Sequence, residues 1–370
     1  MGSAAVAVMS GVAADTPRWK FGLRTGLQLG FVVAAFVALG WTLRKEWPTI
    51  QDSLARLDAA TITVVLALGL AVLACSFASW RAVLSGLGSV VPVLPAARIF
   101  FVGQLGKYLP GSLWPLIAQM EFGRAIGLPR TRVVVASLVA IATSVLVGAA
   151  VGLCCLPFVE VPVGLRAVSP LLAVVPLAAL HPALLNRVVG LGLRVARRPP
   201  LADPLPGRAI AIAAAASACA WAFGGLASWV LATRLGAHGF WIFPLCVAAY
   251  ALAVTAGLLV VPVPAGAGVR EGVFVLFLSL ALAAGPAMTV AIVSRLVLTV
   301  SDGVMAGAAL LGNRGPIHAR LGGRLSGGSA APPQPARTGA GQPQSPDGNG
   351  PSPGFERAAP HRVPLDRVLD

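Results

Sequence analysis

The feature that most restricts this chain is a succession of uncharged apolar runs, each about as long as a bilayer is thick. Roughly 20 apolar residues carry a helix across the hydrocarbon core. Runs of that order occupy 25–43, 59–80, 133–159, 167–186 and 209–233. A long apolar region from 235 to 269 follows, broken at Pro262 and Pro264. The last, 272–313, carries only Arg295 and Asp302 and is punctuated by Gly285-Pro286. In lipid every backbone N–H and C=O needs an internal partner, and a helix supplies one. The expected fold is therefore an all-α polytopic membrane protein. It has six full spans and one or two shorter pieces near 273–284, a bundle of about 7–8 transmembrane helices.

Charge follows the same division. Only 11% of the 370 residues are charged, against about 25% in soluble domains. The formal charge of +15 lies in short connections rather than in one patch, and no nucleic-acid-binding motif accompanies it. Orientation signals and anionic lipid headgroups account for it better than nucleic acid does. Summing Lys and Arg over alternate connections puts fourteen on one side and five on the other. The N-terminus is thus expected on the cytoplasmic side of the cell membrane. The C-terminal side depends on the piece near 273–284. If it crosses with help from 263–272 the tail is cytoplasmic, as Arg314, Arg320 and Arg324 favour; if it is re-entrant, the tail is outside.

The flanks differ from the middle. Residues 1–22 read as a flexible leader, since no Lys or Arg precedes the mildly apolar stretch 4–14, as a secretory signal would require. Residues 314–370 are rich in Pro, Gly, Ser and Gln and read as a disordered tail without a catalytic domain. The polytopic domain is 23–313. The five cysteines sit in apolar runs without C-x-x-C spacing, and the four histidines are scattered. No metal or cofactor is expected, and without a Walker sequence ATP hydrolysis is not expected either.

Two apolar segments, one in each half, are interrupted. The first is Gly103-Gln104-Leu105-Gly106-Lys107-Tyr108-Leu109-Pro110-Gly111-Ser112-Leu113-Trp114-Pro115. The second runs Pro262-Val263-Pro264-Ala265-Gly266-Ala267-Gly268-Val269-Arg270-Glu271-Gly272. Non-helical backbone survives at membrane depth only where protein or a water-filled cavity surrounds it. Paired interruptions of this kind point to a transporter's binding site, and half-helix N-termini attract anions such as phosphate. The bland alternative is a set of interface anchors, with Lys107, Tyr108 and Trp114 in an aromatic belt and Arg270-Glu271 a solvated pair. Candidate substrate-binding residues are Lys107, Tyr108, Pro110, Gly111, Gly266, Gly268, Arg270 and Glu271. Arg295 joins them because an intramembrane arginine usually faces a cavity or a partner. Asp302 lies two turns further along the same helix face, about 10 Å away, too far for a direct pair. Glu121 is either a member of the site or a surface carboxylate beside Arg124. Gly148-x-x-x-Gly152 and Gly303-x-x-x-Gly307 have helix-packing spacing.

These motifs, in this order, resemble the transmembrane region of bacterial lysylphosphatidylglycerol synthases, which also occurs as stand-alone flippase-like proteins. The likeness rests on Gly106-Lys107-Tyr108-Leu109-Pro110-Gly111, on Pro264 through Gly272, on Ser294-Arg295 and on Trp80-Arg81, and covers roughly residues 20–312. It implies a bundle that handles lipids or lipid-linked molecules. In full-length synthases this region moves aminoacylated phosphatidylglycerol between leaflets, while a separate cytoplasmic domain makes it. That domain is not present in this sequence, so no enzyme activity is expected. Residues 139–144 lack the acidic or Asp-Arg pair expected in many relatives, which leaves room for a different substrate. The expectation is a protein that flips or binds a phospholipid or polyprenyl-linked anion, alone, as a homo-oligomer or beside envelope-synthesis enzymes. The rivals are a non-catalytic scaffold for such enzymes and a polyprenyl-phosphate-dependent glycosyltransferase, for which no paired-acid motif occurs.

Overall fold

The computed structural model describes residues 44, 47–108, 113–201, 203–259 and 268–312. The leader, the first apolar run, the tips of both interrupted segments and the tail lie outside the described residues. Among the described residues the regular structure is helical, with no strand. Five helices are long and apolar enough to cross a membrane, or six if one bent pair counts as a single span.

Helix α1, Ala59–Gly86, begins where the Asp58 carboxylate accepts the Thr61 N–H at 2.9 Å. That satisfies one of the orphan donors of a helix start. It ends at Gly88, whose φ of 80° is costly for any residue with a Cβ. The first interrupted segment follows as α2, Val93–Ala97, continued by a π-turn at Arg98–Val102 and a 3-10 turn at Leu105–Tyr108, and returns as α3, Trp114–Ala125. Helix α4 is Arg130–Cys155. Then come α5, Val163–Ala179, and α6, Pro182–Val195, bent by 61°. Helix α7 is Gly207–Arg234, α8 Ile242–Leu259, α9 Val269–Leu278 and α10 Ala284–Leu311.

Two expectations change here. The run 167–186 is not one continuous helix. Pro182 has no N–H to continue the ladder and forces His181 into an extended conformation, φ −58° and ψ 130°, so the helix stops and restarts. The restarted α6 is amphipathic: Leu185 and Leu193 are buried, whereas Val188, Leu191 and Val195 are exposed beside Arg187 and Arg194. The short piece expected near 273–284 lies earlier, at 269–278, and Gly285-Pro286 opens α10 rather than dividing it.

The packed interior forms two cores. One joins the start of α1 (Val65) and the ends of α4 and α7 (Val147, Leu231) to the start of α8 (Ile242), the end of α9 (Leu278) and the start of α10 (Val290). The other joins the end of α1 (Leu84), the π-turn after α2 (Ile99, Phe100), the start of α4 (Val133), α6 (Leu185, Leu193), the start of α7 (Ile210) and the end of α10 (Ala306, Ala309). Helices α1 and α10 thus run one way between two ends of a bundle, and α4 and α7 the other, with the bent pair α5–α6 joining the end of α4 to the start of α7. Small residues let them close up, as the lack of a hydrophobic drive between helices in lipid requires. A Cβ on Gly224 would lie 2.0 Å from the Tyr250 ring, and one on Gly152 2.6 Å from Leu252. Gly148 and Gly152 therefore pack as their spacing implies. Nothing among the described residues lies within 4 Å of a Cβ on Gly303 or Gly307, so that pair makes no close helix contact here.

The two interrupted segments enter from opposite ends. Helices α2 and α3 descend from, and return to, the end that holds Gly86 and Arg130. Helix α8 comes from the other end, and α9 returns to it. The arms of the first hairpin approach closely because two residues lack side chains. A Cβ on Gly103 would meet Gln119 Cγ at 2.4 Å, and one on Gly106 would meet the backbone nitrogen of Pro115 at 2.8 Å. The returning arm is also held by a buried relay. Trp80 Nε1 donates to Ser137 Oγ at 3.0 Å, and the Ser137 hydroxyl faces Gln119 Oε1 at 2.5 Å.

Candidate functional site

Midway along the bundle, between the two cores, lies a cavity of about 150 Å³. The first hairpin supplies Lys107 and Tyr108 to its wall, the second supplies Tyr250, Val254 and Arg270, and α10 supplies Arg295 and Asp302. Val72 and Leu73, at the middle of α1, close another side.

The charges are paired by a simple rule. Helix α10 presents one cation and one anion two turns apart, and each hairpin brings the complement of one of them. Lys107 Nζ lies 2.5 Å from Asp302 Oδ2, and Tyr108 donates its hydroxyl to the same oxygen at 2.6 Å. The Asp302 side chain is only 3% exposed. Leaving such a carboxylate unpaired would cost several kcal/mol, so its two partners hold the hairpin end against α10. From the other end, Arg295 Nη1 binds Glu271 Oε1. The second oxygen of Glu271 accepts the Gly268 N–H at 2.7 Å. This is half of a capping box, which places a carboxylate at the positive end of the α9 dipole. Gly268 itself has φ 83° and ψ −50°, a conformation that a side chain resists.

Arg270 remains. Its guanidinium carbon stands 5.7 Å from the centre of the buried Tyr250 ring. That distance is within the range of a cation–π contact. Its Nη2 is buried and has no hydrogen-bond partner among the described residues. A guanidinium carries five donors, and one left without an acceptor beside a cavity is a position at which an anion would be bound.

Of the residues singled out from sequence, Lys107, Tyr108, Arg270 and Arg295 line the cavity, and Glu271 and Gly268 stand directly behind it. Pro110, Gly111 and Gly266 lie outside the described residues. Glu121 is not part of the site. Its side chain is 49% exposed and bonds Arg130 at 2.6 Å, with Arg124 at 3.5 Å. The returning arm has carried it back to the bundle end. Arg295 and Asp302 do not pair with each other; their partners come from the hairpins. Sequence reasoning gave Asp302 no role and overlooked Tyr250. A signal was available: the chain has only two tyrosines, and both line this cavity. Among the described residues no three of His, Cys, Asp and Glu gather as a metal site would need.

Residues 27–302 match the family described as the lysylphosphatidylglycerol synthase TM region, and the chain belongs to that family. No curated protein matches it.

Proposed function

We propose that this member of the lysylphosphatidylglycerol synthase transmembrane family binds the anionic headgroup of a phospholipid or lipid-linked molecule in the mid-bundle cavity and passes it between leaflets. The observation that carries the reading is Arg270, an arginine at membrane depth whose Nη2 has no acceptor among the described residues. Family membership supports a link to lipid handling. The opposed hairpins support passage, because a site reached by interrupted helices from both ends can be opened toward either. The phosphate is held by Arg270, with Lys107 and Arg295 next in reach as they loosen from their carboxylates. The lipid leaves chemically unchanged.

In this reading the protein sits in the cytoplasmic membrane with the end carrying Gly86, Arg130 and Leu311 toward the cytoplasm. That end holds most of the basic residues of the described connections, as the positive-inside rule requires. Both termini then face the cytoplasm.

The test is leaflet exchange of labelled anionic lipids in proteoliposomes, with Arg270→Gln beside the wild type. Losing hydrogen bonds to a charged group predicts exchange slowed by roughly tenfold or more at unchanged thermal stability. Wild-type exchange no faster than in empty liposomes, for phospholipid and polyprenyl-phosphate probes alike, would overturn the reading and favour a scaffold.

A further inference from the structure

We infer that the cavity selects its occupant by charge number: it accepts a phosphate carrying one negative charge, a phosphodiester headgroup, and discriminates against phosphates carrying two. This deepens the reading above and rests on it for the occupant's being a lipid.

Among the described residues, the ionisable side chains that line the cavity, or bond to one that does, can be counted by sign. The cations are Lys107, Arg270 and Arg295, and the carboxylates are Asp302 and Glu271. Tyr108 and Tyr250 add neutral hydroxyls. The adjoining tips, 109–112 and 260–267, consist of Leu-Pro-Gly-Ser and Val-Val-Pro-Val-Pro-Ala-Gly-Ala. They contain nothing ionisable and add no charge to the count among the described residues. Two cations are matched by two carboxylates, and one positive charge is left over, on Arg270.

At mid-bundle that surplus decides what is retained. Charges interact far more strongly in a poorly polarisable interior than in water, and an uncompensated buried charge is expensive. One negative charge brings the occupied site to neutrality; a second leaves an excess that no group among the described wall residues offsets. The cavity, about 150 Å³, is several times the ~30 Å³ share of a water molecule and has room for a phosphate group.

Glu271 and Asp302 then have a second role as the built-in anions that set the selectivity. Each can be neutralised while keeping one of its hydrogen bonds to the protein. In Glu271→Gln the amide oxygen still accepts the Gly268 N–H, as capping boxes with glutamine do. In Asp302→Asn the amide oxygen still accepts the Tyr108 hydroxyl. Either change raises the surplus by one charge, from different elements and through different cations, Arg295 in one case and Lys107 in the other.

The experiment measures binding, not transport. The purified protein in nanodiscs of zwitterionic lipid is titrated with tail-labelled phosphatidylglycerol and with phosphatidate at about pH 8.5, where a phosphomonoester carries close to two charges. Wild type is expected to prefer phosphatidylglycerol by roughly tenfold. Both neutralised variants are expected to lose or reverse that preference by a similar factor, and Arg270→Gln to weaken both lipids. A wild-type preference for phosphatidate, a ratio unchanged in both variants, or binding of neither lipid would overturn the inference. Charge-selective binding without leaflet exchange would remove the transport reading and leave the selectivity standing.

Discussion

At the scale of single residues, what was legible was cost. An arginine or aspartate within an apolar run draws the eye because burying it costs several kcal/mol unless something compensates, so Arg295 and Asp302 stood out without a structure. Their partners did not. Lys107 is 195 residues from Asp302 and Glu271 is 24 from Arg295, and no local spacing rule reaches across such gaps. Glu121 was over-read for the converse reason. Its position after Trp114-Pro115 says nothing about which way the chain runs, and the arm runs outward. The pairing also sets an order among variants. In Lys107→Met the Asp302 carboxylate, almost wholly buried, keeps only its Tyr108 hydrogen bond, and a loss of about 3–5 kcal/mol is expected. Asp302→Asn leaves the charge on Lys107, whose side chain is partly exposed and can turn into the cavity, so about 1–2 kcal/mol is expected. The double variant should be more stable than Lys107→Met alone. Unfolding in detergent of the three variants and wild type gives the cycle; additive losses would mean the two groups do not form a working pair.

At the scale of elements, the length of apolar runs located the crossings, because a helix that long has little other use. It did not show where one residue breaks the backbone without changing hydropathy. Pro182 is apolar enough to pass within a run, yet it ends one helix and starts the next. Arg270 and Glu271 looked like the edge of a loop, whereas they form the first turn of α9, with Glu271 capping it. The glycines of the first hairpin were legible as a break but not as a contact. Their use follows from the distance between the arms, and it can be tested. Gly106→Ala places a Cβ 2.8 Å from the backbone of Trp114 and Pro115, atoms that cannot rotate away. Overpacking of this kind costs about 1–3 kcal/mol and moves Lys107 and Tyr108, its neighbours, off Asp302. Gly164→Ala, where nothing lies within 4 Å, serves as control and should be neutral or slightly stabilising, as alanine in a helix generally is. Equal thermal stabilities for the two variants would mean the hairpin arms are not held at this separation.

For the whole molecule, the side on which the tail emerges is a matter of parity, and the two hairpins change how it is counted. The sequence offered two arrangements: the short piece before α10 crosses, or it turns back and reverses the tail. Both assume that α8 completes a crossing by itself. In the structure α8 and α9 are the two arms of one hairpin, so together they count as no crossing, and α10 begins at the end from which α8 began. Leu282 and Ile242 share one core, while Ala309 packs with Leu84 and Val133 in the other. A Cβ on Gly312, just past α10, would lie 3.3 Å from Leu94, at the entrance of the first hairpin. The exit of α10 is thus at the basic end, although α9, at ten residues, is too short to cross about 30 Å. Single cysteines in a cysteine-free background report this directly. Gly127→Cys, Arg197→Cys and Gly312→Cys should react with an impermeant maleimide from one side of sealed vesicles, and His238→Cys from the other. Labelling of Gly312→Cys together with His238→Cys would mean that α8 crosses fully and that the second hairpin does not exist. The cavity would then be open to one end only, and passage between leaflets would need a different route.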